Sequence, residues 1–230
     1  KHSQPIQFRA FMGSAAARRG YWARSYIGSQ RFSGAEPNAA HHALARLEDG
    51  GKVDTIITQN VDRLHSAAGN RNVIDLHGDL SKVRCMSCDR ITERRHYQAA
   101  LERGNPGWTA EAKHYRADGD AELVDDAEAD FEVPGCEACN GIQKPDVVMF
   151  GENVPRERVE EAMDAVDRAD ALLVVGSSLM VFSGFRFARR AGELGKPVAI
   201  VNRGRTRADD IAGLKVEEDC SQVLPAAVAS

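Results

Sequence analysis

Two cysteine pairs restrict what this 230-residue chain can fold into more than any other feature. Both have the spacing C-x-x-C: Cys85 is paired with Cys88, and Cys136 with Cys139. Together they supply four thiolates, the ligand set of a tetrahedral structural zinc ion that keeps no position open for a substrate. The alternative is four free buried cysteines, which requires two coincidental pairings. We therefore predict one structural zinc ion, held by a small module that encloses the segment between the pairs.

Composition narrows the class of protein further. The net charge of -4 gives no electrostatic reason to expect nucleic acid or an anionic membrane as a partner. No apolar run approaches the roughly 18 residues of a membrane span, and Lys1–Ala10 shows no apolar core of a signal peptide. Paired C-x-x-C motifs favour metal in a reducing compartment over disulfides. We expect a cytoplasmic protein, or one of the mitochondrial matrix if its source is eukaryotic.

The last third of the chain alternates predicted strands with predicted helices. Residues 171–175 and 197–201 predict buried strands, and residues 183–194 predict an amphipathic helix between them. Strands separated by helices of this length imply a right-handed parallel sheet. A helix over residues 37–47 and a strand over residues 55–57 repeat the alternation before the first cysteine pair.

These elements predict an α/β fold, a Rossmann-like parallel-sheet domain with a smaller zinc-binding module inserted. The domain takes residues 1–80 and 143–230, and the module takes residues 81–142. One or two helices are expected in residues 1–34.

Two parts of the chain are predicted to be irregular. Residues 89–135 are polar and predict a loop-rich insert, in which the acidic run Asp118–Asp130 forms a solvated face. Cys220 lies outside the set of paired cysteines and is expected in a loop near the end of the chain.

Polar residues follow the predicted strands at their carboxyl ends, where ligands bind in parallel α/β sheets. Gln59, Asn60 and Asp62 follow the strand at 55–57, and His77 follows a second strand at 72–76. Each of these residues alone is equally well explained as a helix cap, a turn residue or a core residue whose hydrogen bonds are satisfied. Four convergent groups favour a site, and histidine, which titrates near neutral pH, suits a general base there.

Two further strand ends carry polar turns. Gly176, Ser177 and Ser178 follow the strand at 171–175, and Asn202 follows the next strand. Glycine permits close approach of a ligand, and hydroxyls and amides donate hydrogen bonds to phosphate or ribose. Each turn is a weak signal alone. Together with the first cluster they predict a nucleotide that lies across the edge of the sheet.

These motifs, in this order, resemble those of sirtuins, the NAD-dependent protein lysine deacylases. The resemblance covers essentially the whole chain and is carried by TQNVDRLHSAAG, DLHG, the paired C-x-x-C motifs, KPDVVMFGE, VVGSSLMV and IVNRG. YWARS, NPGW, ADGDAEL and TRADD look similar to the class II, sirtuin-4-like branch.

The resemblance implies a role for each site residue and makes NAD a co-substrate. His77 is implied as the catalytic base on the ribose hydroxyls of NAD, with Asn60 and Asp62 as its catalytic partners in the nicotinamide-ribose and nicotinamide pockets. The other implied cofactor contacts are Gln59, Val61, Gly176, Ser177, Ser178, Asn202, Arg203, Gly204 and Cys220.

The resemblance also implies the partner, an acyl-lysine protein or peptide that adds to the enzyme as a β-strand and is held through its backbone. Products are free lysine, nicotinamide and 2′-O-acyl-ADP-ribose. The implied substrate contacts are Val147, Phe150, Gly151 and Glu152 on one side, with Leu179 and Val181 on the other.

The chain departs from the sirtuin pattern in a few places. The glycine-rich G-A-G-x-S turn and the cofactor loop are expected upstream of Lys1, together with the first, central strand of the sheet. Asp75, Asn140 and Gln143 replace a glutamate, a glycine and an apolar residue, and no catalytic group is lost. No G-x-G-x-x-G motif is present, which disfavours a dehydrogenase.

Two other functions remain open from the sequence. One is transfer of ADP-ribose to protein from the same NAD site, and the other is a non-catalytic, zinc-stapled binding module. The second is disfavoured by the intact His77, Asn60 and Asp62, which a scaffold does not need. Tyr21 and Arg24 have the spacing that some sirtuins use for acidic acyl groups, but their helical, arginine-rich context favours a structural role.

Overall fold

The computed structural model describes residues 5–32, 34–110, 112–115, 121–123 and 128–228. The chain divides into two compact units, of which the first holds Lys1–Ala35, Asn60–Asp62 and His77–Asn153 and the second holds Glu36–Gln59, Arg63–Leu76 and Val154–Ser230. The predicted domains differ from these units, because the structure groups the N-terminal helices, Asn60–Asp62, residues 77–80 and residues 143–153 with the cysteine-bearing segment.

Three helices open the described chain, and helices and strands alternate after residue 143. In chain order they are α1 (Phe8–Gly13), α2 (Ala15–Phe32), α3 (Ala39–Asp49), β1 (Ile56–Thr58), α4 (Leu64–Ala67), β2 (Val73–Asp75), β3 (Gly78–Cys85), β4 (Ile91–Glu93), α5 (Arg94–Gly104), β5 (Ala112–Tyr115), β6 (Ala121–Leu123), β7 (Gln143–Val147), α6 (Arg156–Arg168), β8 (Leu172–Val175), α7 (Phe182–Glu193), β9 (Val198–Val201), a 3-10 helix (Asp209–Ile211), β10 (Leu214–Val216) and α8 (Cys220–Val228).

The second unit is built on parallel strands, which confirms the predicted α/β class. β1 pairs with β2, and β9 lies between β8 and β10, with all three pairings parallel. The core includes Leu76, Ile200 and Val198, against which α6 and α7 pack. In α7 the buried residues Gly184, Phe187, Ala188 and Ala191 recur at helical spacing, so that one face is apolar.

The predicted helix at 37–47 is present as α3, two residues later in the chain, because Asn38 caps its start. The Asn38 side chain accepts hydrogen bonds from the amides of Ala40 (3.0 Å) and His41 (3.2 Å), which satisfies donors that a helix start leaves free. Leu44 on its buried face packs with Leu224 of α8. Two helices far apart in sequence thus share one apolar interface.

The first unit has an antiparallel sheet in the order β4–β3–β7 and an aromatic core. Trp22 is fully buried, stacks edge-on against Tyr97 at 4.7 Å, and donates from its indole nitrogen to the Gln143 carbonyl (3.1 Å). The predicted helices in residues 1–34 are confirmed as α1 and α2. No helix within the described ranges combines the length and the apolar character that crossing a bilayer requires.

Two predictions of irregular structure are wrong. Residues 94–104 form the helix α5, which buries only Tyr97 and Leu101, so that its polar composition hid a narrow apolar stripe. Cys220 is the first residue of α8 and not part of a loop. Most of the acidic run Asp118–Asp130 lies outside the described residues.

A buried carboxylate fixes the segment between α4 and β2. Glu48, at 8% exposure, accepts hydrogen bonds from the Asn70 side chain (2.7 Å) and from the amides of Arg71 (3.0 Å) and Asn72 (2.9 Å). Burial raises the pKa of the Glu48 carboxyl, but these hydrogen bonds and the charge of Arg71 outweigh it and hold the pKa below its ordinary value. The carboxylate therefore stabilises the fold in its charged form.

We expect Glu48→Gln to lower the free energy of unfolding by about 2 kcal/mol at pH 7, because an amide cannot accept from all three donors. Since the pKa is lowered in the folded state, this contribution is complete above the ordinary value of 4.5 and is lost as the pH falls through the folded-state pKa. Urea unfolding of both proteins between pH 7 and pH 3 measures it. The exposed Glu161→Gln is the control, and an equal loss there would contradict the assignment.

Candidate functional site

His77 occupies the turn between β2 and β3 and is half-buried. Its carbonyl accepts a hydrogen bond from the Val148 amide (2.7 Å), which ties the turn to the end of β7. The next residue, Gly78, has φ +92°, and a Cβ there would lie 2.1 Å from the Asp146 carbonyl oxygen. Only glycine allows β3 to approach β7 this closely, so Gly78 fixes the position of His77.

The segment Asn60–Asp62 is held to the same strand. The amide of Leu80 in β3 donates to the Val61 carbonyl at 3.0 Å. Asn60 is exposed, whereas Val61 and Asp62 are half-buried. The structure therefore brings all three predicted catalytic residues to the first residues of β3, within the first unit.

The predicted peptide-binding segment follows β7 in that unit. Val147 pairs with Gly78 across the sheet. Phe150 is 55% exposed, and its carbonyl accepts a hydrogen bond from the Phe8 amide (2.8 Å). Gly151 has φ +79°, a left-handed conformation suited to glycine. The segment thus lies beside the His77 turn and presents an aromatic side chain.

Lys144, which the sequence analysis missed, holds this segment in shape. It is 3% exposed, and its ammonium donates to the Glu152 carboxylate (3.0 Å) and to the Val147 carbonyl. Burial lowers the pKa of Lys144, and its hydrogen bond and charge interaction with Glu152 partly offset that effect. Glu152 also accepts from the Met149 amide (2.9 Å), so the pair spans the whole turn.

In the second unit, the predicted cofactor residues lie at the carboxyl ends of β1, β8 and β9. The Gln59 side chain donates to the Ser177 hydroxyl (3.0 Å), which links the end of β1 to the end of β8. A Cβ at Gly184 would lie 2.5 Å from the Gln59 side chain, so this glycine of α7 makes room for the link. The Gly176 amide donates to the Val201 carbonyl (2.9 Å).

The remaining cofactor-side residues gather at the end of β9 and the start of α8. Asn202 is buried and donates to the Arg203 carbonyl (2.8 Å), while Gly204 has φ +76° and donates to Glu217 (3.2 Å). The Cys220 sulfur lies close to Gly176, because a Cβ on Gly176 would be 3.4 Å from that sulfur. Backbone amides, small side chains and hydroxyls at adjoining strand ends suit phosphate and ribose.

Two hydrogen bonds from Arg207 hold the loop between β8 and α7. Leu179 is buried at φ +54°, a conformation uncommon for leucine, while Val181 is 51% exposed at the start of α7. The Arg207 amide donates to the Ser178 carbonyl (2.8 Å), and its guanidinium donates to the Met180 carbonyl (3.3 Å). Arg207 is a second residue that the sequence analysis did not select.

The four paired cysteines converge, and their sulfurs lie within 4.8 Å of one another. The distances of 3.4 Å for Cys85–Cys139 and 3.9 Å for Cys88–Cys136 bracket the separation of roughly 3.8 Å that ligands 2.3 Å from a tetrahedral zinc ion require. The donor set thus fits one structural zinc ion.

Each cysteine pair sits on a turn with the same geometry. The Asp89 amide donates to the Cys85 carbonyl (3.0 Å), and the Asn140 amide donates to the Cys136 carbonyl (2.7 Å). Asp89 and Asn140 have φ +55° and +57°, left-handed values that Asp and Asn tolerate better than most residues. This explains why asparagine can replace the expected glycine at position 140.

Close packing at Gly141 also shapes the metal site. A Cβ there would lie 2.8 Å from the Cys85 sulfur and 2.5 Å from the Ser87 hydroxyl. Burial raises the pKa of the Cys85 thiol, but hydrogen bonds from the Ser87 and Cys88 amides and from neighbouring thiols outweigh it and lower the pKa. At Cys139 the hydrogen bond from the Gly141 amide lowers the pKa of the thiol, but hydrogen bonds with the neighbouring thiols and burial outweigh it and raise the pKa to about 12. Without an ion, the cluster therefore favours a thiolate at Cys85 and a thiol at Cys139.

Comparison with known proteins gives one consistent family. The model of the Sir2 family matches residues 4–183. An NAD-dependent protein deacetylase of Xanthomonas campestris pv. campestris (strain 8004) is 57% identical over 224 residues, which cover 97% of this chain and 76% of that protein. The NAD-dependent protein deacylase Sirt4 of Drosophila melanogaster is 44% identical over 222 residues, or 96% and 71% of the two chains.

Solved structures agree with the sequence comparison. Sir2 in complex with the inhibitor EX-527, 2′-O-acetyl-ADP-ribose and deacetylated p53 peptide matches with a TM-score of 0.78 at 30% identity. The match covers 97% of this chain and 83% of that one. The arrangement of helices and strands is therefore shared with that protein over nearly all of the chain.

We expect purified protein to contain one zinc ion per chain and Cys139→Ser to contain none, because three thiolates and a hydroxyl form a weaker site. Elemental analysis of the metal, with thermal unfolding before and after treatment with a chelator, measures both. Cys220→Ser is the control and should retain the ion. Zinc in Cys139→Ser at the wild-type level would refute the four-cysteine site.

We expect Glu152→Gln to lower the free energy of unfolding by about 3 kcal/mol, since it leaves the buried ammonium of Lys144 without its counter-charge. Lys144→Met combined with Glu152→Gln should recover much of this loss, because the buried charge is then absent as well. Chemical unfolding of the single and double variants tests the pair. Glu160→Gln, in the exposed pair with Arg156, should change the stability by less than about 1 kcal/mol.

Proposed function

Because the chain belongs to the Sir2 family, we propose that it is an NAD-dependent protein-lysine deacylase. The observation that carries the proposal lies in the first unit, where β3 and β7 bring His77, Asn60 and Asp62 beside Val147–Glu152, the segment that we assign to the peptide. A binding module without catalysis does not need an imidazole, an amide and a carboxylate at that point.

The reaction consumes one acyl-lysine, one NAD and one water. The acyl oxygen attacks C1′ of the nicotinamide ribose, and nicotinamide leaves with the electrons of the glycosidic bond. The ribose 2′-oxygen then attacks the acyl carbon, and the carbon–nitrogen bond breaks with release of lysine as the free amine. Water adds to the same carbon, and the bond from that carbon to the oxygen on C1′ breaks, which leaves the acyl group on the 2′-oxygen and a hydroxyl on C1′. We assign to His77 the role of accepting a proton from the ribose hydroxyls, which general-base catalysis requires for the 2′-oxygen to become nucleophilic.

Asn60 and Asp62 are assigned to the nicotinamide end of NAD, with Gln59 and Val61 beside them. The carboxyl ends of β8 and β9 supply the hydroxyls and amides for phosphate and adenosine. This assignment is supported by the hydrogen bond from Gln59 to Ser177, which keeps the ends of β1 and β8 together. The residues assigned to the phosphate and adenosine end are Gly176, Ser177, Ser178, Asn202, Arg203, Gly204 and Cys220.

We assign the segment Val147–Glu152 of the first unit as a contact of the acyl-lysine peptide, and we assign Leu179 and Val181 of the second unit to the same substrate. An extended peptide is held there mainly by backbone hydrogen bonds, which supply affinity, while contacts with its side chains supply specificity. We also propose a reducing compartment, the bacterial cytoplasm or the mitochondrial matrix, because the four cysteines must stay reduced to hold zinc.

We expect His77→Ala to reduce peptide-dependent release of nicotinamide from NAD by roughly 10²- to 10⁴-fold, the usual contribution of a general base. The assay uses a panel of lysine peptides with different acyl groups, and mass spectrometry identifies 2′-O-acyl-ADP-ribose. His96→Ala, on the exposed face of α5, is the matched control and should keep full activity.

Two results would contradict the proposal. His77→Ala with wild-type turnover would remove the assigned base. Folded, zinc-containing protein that releases no nicotinamide with any acyl peptide would exclude the deacylase, and ADP-ribosylated peptide in place of acyl-ADP-ribose would identify transfer of ADP-ribose instead.

A further inference from the structure

A group of cations and aromatic rings lies at the start of α7, next to the residue Val181 that we assign to the substrate. Its members are Phe182, Phe185, Arg186, Arg189 and Arg207, and we name them the arginine–phenylalanine surface. All belong to the second unit. None of them takes part in the chemistry assigned above.

Three guanidinium groups share one aromatic ring. The Cζ atoms of Arg186, Arg189 and Arg207 lie 5.2, 5.3 and 5.7 Å from the centroid of Phe182, and Arg207 also lies 4.4 Å from the centroid of Phe185. A guanidinium within about 6 Å of a ring is attracted by its π-electrons. The rings therefore hold three like charges together that would otherwise repel one another.

This positive charge is only partly compensated. Arg189 pairs with Glu193 at 3.3 Å, whereas neither Arg186 nor Arg207 forms an ion pair with any carboxylate in the part of the chain that the structure describes. The protein as a whole carries a net charge of -4, so the surface is a local exception. A concentrated patch of one sign attracts groups of the opposite sign.

Apolar side chains continue the surface towards the assigned substrate contact. Met180, Val181 and Phe182 are 54%, 51% and 43% exposed, although large apolar side chains are mostly buried in folded proteins. Adjoining apolar and cationic groups suit a polypeptide that has both apolar and acidic side chains. Nucleic acid is a poorer match, because its binding requires a more extended positive surface.

We propose that the arginine–phenylalanine surface selects acyl-lysine substrates that carry aspartate or glutamate residues close to the modified lysine. The proposal rests on the deacylase function, because Val181 marks where the peptide passes. In an extended peptide, alternate side chains point to the same face about 7 Å apart. Two carboxylates spaced in this way can reach two guanidinium groups that surround a single ring.

The test compares three peptides that share one acyl-lysine and differ only in the residues on either side of it, which are glutamate, glutamine or lysine. Nicotinamide release by the full-length protein gives kcat/KM for each. We expect the glutamate peptide to exceed the glutamine peptide by about tenfold at low salt, the effect of two ion pairs formed with guanidinium groups of this surface. The ratio should shrink at high salt, because exposed charges are screened.

Substitution of Arg186 identifies the surface responsible. Arg186→Gln should lower the ratio of the glutamate to the glutamine peptide, and Arg186→Glu should make the lysine peptide the better substrate. The second result is a gain of preference that misfolding cannot produce. Arg190→Gln is the matched control, because Arg190 lies on the same helix but pairs with Asp167 at 2.8 Å, and its ratio should equal that of the wild type.

The outcomes separate this proposal from the function on which it rests. Equal kcat/KM for all three peptides, with nicotinamide still released, would overturn the selectivity and leave the deacylase intact. A preference for glutamate that is unchanged in Arg186→Gln and in Arg186→Glu would overturn the assignment to this surface. No release with any peptide would overturn both.

Discussion

The candidate site depends on the close approach of β3 to β7 at Gly78. At this point the backbone of one strand occupies the space that any side chain would need, with the Asp146 carbonyl 2.1 Å from where a Cβ would stand. The turn that carries His77 is thereby fixed by the backbone approach at Gly78 and by the hydrogen bond from the Val148 amide to the His77 carbonyl.

The same region shows which parts of a site can be predicted from sequence. His77 and the segment Asn60–Asp62 could be predicted because they follow predicted strands, and ligand-binding groups lie at the carboxyl ends of parallel strands. The cysteine pairs could be predicted because two cysteines at a fixed spacing on a tight turn form half of a metal site. In each case the signal is local, or a repetition of a local pattern.

What sequence reasoning missed depends on contacts between distant positions. Lys144 precedes a proline in a polar-looking start to a strand, and only the structure shows that its charge is buried against Glu152. The fit of Gly184 beside Gln59 joins residues 125 positions apart, and nothing in either local pattern indicates it. The helix α5 was missed for another reason, since Tyr97 and Leu101 are the only large apolar side chains among its eleven residues and give too weak a periodicity.

The packing of α3 on α8 has a consequence for how the protein is made. The apolar face of α3, with Leu44, is covered by Leu224, and about 170 residues separate the two helices in the chain. At the usual rates of synthesis, roughly 10 to 30 seconds pass between the emergence of α3 from the ribosome and that of α8. During this interval the nascent chain presents an uncovered apolar stripe, which makes α3 a natural point of contact for chaperones that meet the chain during translation.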